Sequence, residues 1–126
     1  MQVLKTKTFA KFAHREEISD GRLSEAIRRA EKELIDAELG GGLIKQRVAR
    51  AGEGRSGGYR TIIAYWTGKR AVFLFGFAKS DRESLSLKEL NSLRQLGQSW
   101  LSASAAAVEK ALEDHALVEV EDEPHK

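Results

Sequence analysis

Lysine and arginine are the residues best placed to do chemistry in this sequence, and they are bunched. Between residues 43 and 82 stand Lys45, Arg47, Arg50, Arg55, Arg60, Lys69, Arg70, Lys79 and Arg82, against Glu53 and Asp81 alone. Side chains alternate along a strand, so Lys45 and Arg47 point to one face together. Arg60 opens the next β-prone run, and Lys79 and Arg82 leave the end of a third. If the three runs pair as a meander, Lys45, Arg47, Arg60, Lys79 and Arg82 converge near one end of a sheet. Such a cluster suits a bent nucleic-acid backbone, whose phosphates dominate binding affinity. Arg50 and Arg55 would extend that surface. Tyr65 and Trp66 offer rings for stacking on bases, although one of the two must point into the core. The competing reading is a solvated sheet face whose charges serve solubility.

Other chemistries have less to stand on. The chain has no cysteine, which removes disulfides, thiolate metal sites and cysteine nucleophiles together. His14, His115 and His125 are far apart, and none has a second histidine three or four residues away, so neither a metal site nor a histidine acid–base pair is expected. Gly52-x-Gly54-x-x-Gly57 matches a dinucleotide-binding pattern literally, but that pattern needs a helix after it, and Tyr59-Arg60-Thr61-Ile62-Ile63 reads as a strand. Gly68-Lys69-Arg70 lacks the upstream glycine and the Ser or Thr of a phosphate-binding loop. No cofactor is expected.

With 126 residues, 41% hydrophobic and 32% charged, the chain fits one globular domain, expected over residues 1–112, followed by an acidic tail over 113–126. Residues 43–82 carry nine bases against two acids, a net +7, and residues 113–126 carry six acids against one lysine, a net −5. That asymmetry points to a polyanionic partner for the basic part, and raises the expectation that the tail docks on it. The longest apolar runs, such as residues 71–75, are too short to span a membrane, and the N-terminus lacks the apolar core of a secretory signal, so a cytoplasmic setting is expected.

The elements that must position the cations follow from periodicity. Residues 3–8 read as a first strand, and Phe9, Phe12 and Ala13 as a short helix reaching about Glu17. Ser19-Asp20 offers an N-cap, after which Leu23, Ala26, Ile27, Ala30, Leu34 and Ala37 form an apolar stripe that predicts a helix ending at Gly40-Gly41-Gly42. Residues 43–51, 59–67 and 70–79 read as an antiparallel meander. In the third run Phe73, Phe75 and Phe77 are expected on one face and Val72, Leu74 and Ala78 on the other, which places it inside the sheet. Ser86-Leu87-Lys88-Glu89 has capping-box spacing and opens a helix that Gly97 would end or kink. Residues 103–112 predict a further helix, and Leu117-Val118-Glu119-Val120 a short terminal strand.

Three segments then carry a resemblance: Leu43-Ile44-Lys45-Gln46-Arg47-Val48-Ala49-Arg50, Gly54-Arg55-Ser56-Gly57-Gly58-Tyr59-Arg60, and Phe75-Gly76-Phe77-Ala78-Lys79-Ser80-Asp81-Arg82. Together they resemble the RelE/HigB toxins of type II toxin–antitoxin systems, in particular the phage-derived Gp49-like branch. The resemblance covers about residues 1–100. It implies an α+β fold, a small antiparallel meander with two N-terminal helices packed on it and a C-terminal helical extension. It also implies an mRNA interferase that cuts codons in the ribosomal A site, and a cognate antitoxin, usually a helix-turn-helix DNA-binding protein. Lys45 and Arg47 match the family's paired basic residues, Arg60 the arginine after the Gly-Tyr step, and Lys79 the basic strand end, with Arg82 beside it. The tyrosine that the family's type member carries just after that strand has no counterpart here, where Ser86 and Leu87 stand.

RNA cleavage by its own 2′-hydroxyl needs a base, stabilisation of the charge on the phosphorane, and protonation of the leaving oxygen. Arg47 and Arg60 stay protonated and suit charge stabilisation. Lys45 is the base available on its strand, where neighbouring cations favour the neutral amine. Lys79 or Arg82 would serve as phosphate ligand or acid. Three other functions fit the same pattern: a ParE-like gyrase inhibitor sharing the architecture, a non-catalytic RNA- or ribosome-binding module, and an inactive prophage remnant.

Overall fold

A computed structural model describes residues 1–50 and 57–121. Arg55, most of the glycine-rich turn, His125 and the end of the acidic tail lie outside those residues. The chain runs β1 (Gln2–Thr6), α1 (Lys7–Arg15), α2 (Asp20–Glu31), β2 (Ala37–Gly40), β3 (Leu43–Val48), β4 (Tyr59–Trp66), β5 (Arg70–Ala78), α3 (Leu87–Ser102), α4 (Ala105–Glu113) and β6 (Leu117–Glu119). The strands form one mixed sheet in the order β2-β3-β4-β5-β1-β6. The fold is α+β, and β3-β4-β5 is the expected antiparallel meander. Beyond β5 the sheet gains β1, which pairs parallel to it, and then β6, antiparallel to β1.

Each helix starts where the sequence supplies a cap. Thr6, Ser19, Ser86 and Ser104 accept hydrogen bonds from the backbone N–H three residues on, and Ser86 and Glu89 complete a capping box. The buried faces of α1 and α2 put Phe9, Phe12, Leu23 and Ile27 against Ile44, Ile63 and Phe73 on one face of the sheet. On the other face α3 and α4 cover Leu43, Ile62, Ala64, Val72 and Leu74. β5 is therefore covered on both sides, as its apolar content requires.

The structure corrects three expectations. The second helix stops at Glu31 rather than running to Gly40: Glu33 adopts φ 63°, Leu34 is 59% exposed, and Ala37–Gly40 is the edge strand β2. Tertiary bonding overrides the helical stripe here, because the buried Gln46 carboxamide accepts from Asp36 N–H (2.7 Å) and donates to Ala26 and Leu34 carbonyls (2.9 and 3.2 Å). The three glycines, all at positive φ, turn β2 into β3 instead of ending a helix. Second, Phe73 does not share a face with Phe75 and Phe77. Ile62 pairs with Phe75 and Ile63 with Phe73, so Leu74 is an extra residue, and this bulge reverses the alternation. Third, Gly97 does not end a helix; it lies within α3, where an added Cβ would come within 2.9 Å of Leu43 Cδ2. Glycine there lets α3 lie close on the sheet.

Candidate nucleic-acid interface

The ladder register decides which cations meet. Lys45 faces Ile62 and Arg47 faces Arg60 across β3 and β4; Ile62 and Arg60 in turn face Phe75 and Phe77 across β4 and β5. Directly opposed residues share a face, so Lys45, Arg47 and Arg60 lie on the α3 side together with the two phenylalanines. Tyr65 N–H donates to Gly42 C=O, which fixes the alternation of bonding along β4 and makes Arg47–Arg60 a pair without ladder hydrogen bonds, the closer kind.

Arg47 stands past the end of β2, where its backbone would lack a partner strand. Two side chains replace it: the Asp36 carboxylate accepts from Arg47 N–H at 2.7 Å, and the Arg29 guanidinium donates to Arg47 C=O. Arg29 is itself held by Glu25 at 2.8 Å and Asp36 at 3.4 Å. The Arg47 backbone is thus pinned to α2, while its side chain stays exposed. Arg60 is the reverse, only 8% exposed. Burial, and then the neighbouring Arg47 charge, push its pKa below the ordinary arginine value, and Asp36 offsets part of that shift. A desolvated guanidinium beside a second cation is suited to holding a phosphate. Lys45 is half-buried at a small cavity of about 120 Å³ lined by Leu39, Phe77, Leu85 and Leu90.

Arg82 reaches the same face by a different route. Its guanidinium lies 5.4 Å from the Phe77 ring centroid and 5.9 Å from that of Phe75. Nη1 donates to Glu89 Oε2 at 3.0 Å, Nη2 bonds Glu89 Oε1, and Nε donates to Ser84 C=O at 3.1 Å. The same Glu89 carboxylate takes the Ser86 N–H at 2.9 Å, so the first turn of α3 holds Arg82 in place. The Glu89 carboxyl is accordingly held down to about 2, chiefly by Arg82, and the Arg82 pKa is raised by the same bond. Lys79 is exposed, its N–H bonded to Gly58 C=O at 3.1 Å. Gly58 passes so close to β3 that an added Cβ would sit 2.3 Å from Val48 C=O, which accounts for the Gly-Gly step before Tyr59.

Other basic and aromatic residues go elsewhere. Arg50 lies over the Tyr59 ring at 5.6 Å, on the α1–α2 face. Tyr65 packs in that same core, at the far end of β4 from Arg60, and burial raises its pKa. Neither joins Lys45, Arg47 and Arg60. Arg70 bonds the carbonyls of Trp100 and Ala103 at 2.8 and 2.9 Å and closes the end of α3. Sequence reasoning missed Arg29, Asp36, Gln46 and Glu89, the side chains that position the cations. Glu89 was visible as half of a capping box, but its second role depends on α3 reaching the sheet. Among the described residues, no group of three or more histidine, aspartate or glutamate side chains converges where a metal ion would be held.

A family model described as the RelE toxin of the RelE/RelB toxin–antitoxin system matches residues 1–120. The chain belongs to the RelE toxin family. It is therefore a toxin of a toxin–antitoxin system, and its partner is an antitoxin. No curated protein sequence matches it closely enough to serve as a relative. No helix of this RelE-family chain is long and apolar enough to cross a membrane among the described residues. Where the family's type member carries a tyrosine after the last meander strand, Ser86 is committed to capping α3, and Leu87 is 70% exposed beside it.

Proposed function

We propose that the chain is a ribosome-dependent mRNA interferase of the HigB-like, phage-derived branch, acting without a metal and silenced by a helix-turn-helix antitoxin. The observation that carries this reading is the facing pair Arg47 and Arg60, one exposed and one desolvated, with Lys45 on the same sheet face. In the proposed reaction the Lys45 amine takes the proton of an RNA 2′-hydroxyl, and the oxygen attacks the adjacent phosphorus. Arg47 and Arg60 hold the non-bridging oxygens as charge builds on the phosphorane. The P–O5′ bond then breaks, leaving a 2′,3′-cyclic phosphate and a 5′-oxygen that takes a proton. Arg82, bound by Glu89 with its pKa raised, is a poor proton donor and a suitable phosphate ligand. That leaves Lys79, exposed at the strand end, as the acid.

The test is cleavage of ribosome-bound mRNA by single variants. Lys45→Ala and Arg60→Ala are each expected to slow cleavage by roughly a hundredfold or more, the usual loss for a general base or a charge-stabilising donor. Cleavage at the wild-type rate by either variant would remove that residue from the mechanism.

A further inference from the structure

β1 lies beside β5 from Arg70 to Phe73, and its chain then turns into α1, so the remainder of β5 presents an edge to α1 rather than to a strand. Lys79 N–H bonds Gly58 on the β4 side; by alternation Phe77 and Phe75 also bond β4, and the Gly76 N–H and C=O point to the open edge. Between that edge and α1 runs a groove of about 360 Å³, lined among others by Lys11, Phe12, Arg15, Phe75 and Gly76. Gly76 keeps it open: an added Cβ would lie 2.4 Å from the Phe12 ring.

The charge on this groove has one sign. α1 contains no acidic residue, and Lys7, Lys11 and Arg15 recur every fourth position on its exposed side, about 6 Å apart along the axis. Lys7 and Lys11 have no ion-pair partner among the described residues, whereas Arg15 pairs with the adjacent Glu16 at 3.4 Å. The groove also meets the candidate interface. Phe75 lines it, yet faces Ile62 on the Lys45–Arg47–Arg60 side and lies under Arg82. Glu89, which shares a neighbouring pocket with Phe75, is tied to Arg82.

We propose that this groove is a second RNA-binding site, a track along which single-stranded RNA leaves the basic sheet face. One base stacks on Phe75, and the following phosphates meet the Gly76 N–H and the row of cations that Lys11 and Arg15 form with Lys7 along α1. An aromatic platform opening into a basic groove is the usual arrangement for single strands read without sequence preference. The inference rests on the nuclease reading only in taking RNA as the ligand of the sheet face.

Binding of fully 2′-O-methylated RNA, which cannot be cut, tests it. Wild-type chain is expected to bind a strand of about twelve nucleotides more tightly than one of about four. Lys11→Gln/Arg15→Gln, altering two exposed side chains, is expected to weaken binding of the longer strand by roughly tenfold and to make its salt dependence shallower by about one power of salt concentration. Lys11→Arg should retain wild-type binding, and Phe75→Leu should lose part of the length effect. Equal affinity for both strands, or a double variant that binds the longer one as wild type does, would overturn the track. So would a double variant that loses the antitoxin but keeps RNA, which would make the groove a protein-docking site. Intact length dependence in a chain that cuts no mRNA would contradict the nuclease reading alone.

Discussion

Arg47 and Arg60 oppose each other on adjacent strands, and like charges placed so destabilise a sheet. The lowered pKa of Arg60 has the same meaning: its charged form is disfavoured in the folded chain, first by burial and then by Arg47. A phosphate placed between the two guanidinium groups would relieve that repulsion. Arg60→Met, similar in length and free of charge, removes the repulsion from Arg47 and is expected to abolish cleavage while leaving the chain at least as stable as wild type. Denaturant unfolding beside a cleavage assay reads both, and a destabilised Arg60→Met would show that the charge supports the fold. Glu89 has the opposite sign. Its carboxyl falls from an ordinary 4.5 to about 2 in the folded chain, so its contribution is fully present above pH 4.5 and is lost as pH drops toward 2. Acid unfolding of wild type and Glu89→Gln should converge across that window and stay parallel above it.

Among the elements, β3 carries the basic face outward and Gln46 inward. Gln46 is fully buried and joins α2, the chain before β2 and β3 through its carboxamide, while its carbonyl takes the Thr61 hydroxyl at 2.9 Å. Gln46→Ala is expected to cost about 3 kcal/mol, since it strands buried polar groups as well as opening a cavity, and to disturb Arg47 through Asp36. Gly76→Ala should cost about 1–3 kcal/mol by pushing on Phe12, which also packs edge-on against Tyr59. Thermal unfolding measures both; a Gly76→Ala chain as stable as wild type would mean that Phe12 swings clear. The caps at Ser19 and Ser86, the meander and the covered strand β5 were legible in the sequence because each rests on local periodicity or a short side-chain bond. The end of α2 was not, since its apolar stripe continues to Ala37 and only the long-range grip of Gln46 breaks it. Nor was the bulge at Leu74, because nothing in Val72-Phe73-Leu74-Phe75 marks which residue the ladder will skip. For the same reason the pairing of Lys45 with Arg47 could be read from spacing, but the bracing of Arg82 by Glu89 could not.

Over the whole molecule, charge is sorted across the sheet. The basic face centres on β3 and β4, while residues 117–119 lie at the opposite edge as β6, beyond β1. Asp20 fastens that edge by accepting from Lys5 at 2.7 Å and from Glu121 N–H at 3.0 Å. As far as Glu121, the last described residue, the C-terminal segment runs along the far edge rather than over Lys45 and Arg47; the rest of the acidic tail, and with it the expected docking on the basic face, lies outside the described residues. The central claim is that this face cuts message on the ribosome. Mapping of RNA 5′ ends in a reconstituted translation reaction, with wild type and Arg60→Ala side by side, tests it most directly. The account predicts new 5′-hydroxyl ends within the translated message for wild type, absent without ribosomes and absent with Arg60→Ala. Arrest of translation by wild type with the message intact, or inhibition of gyrase supercoiling in its place, would contradict it.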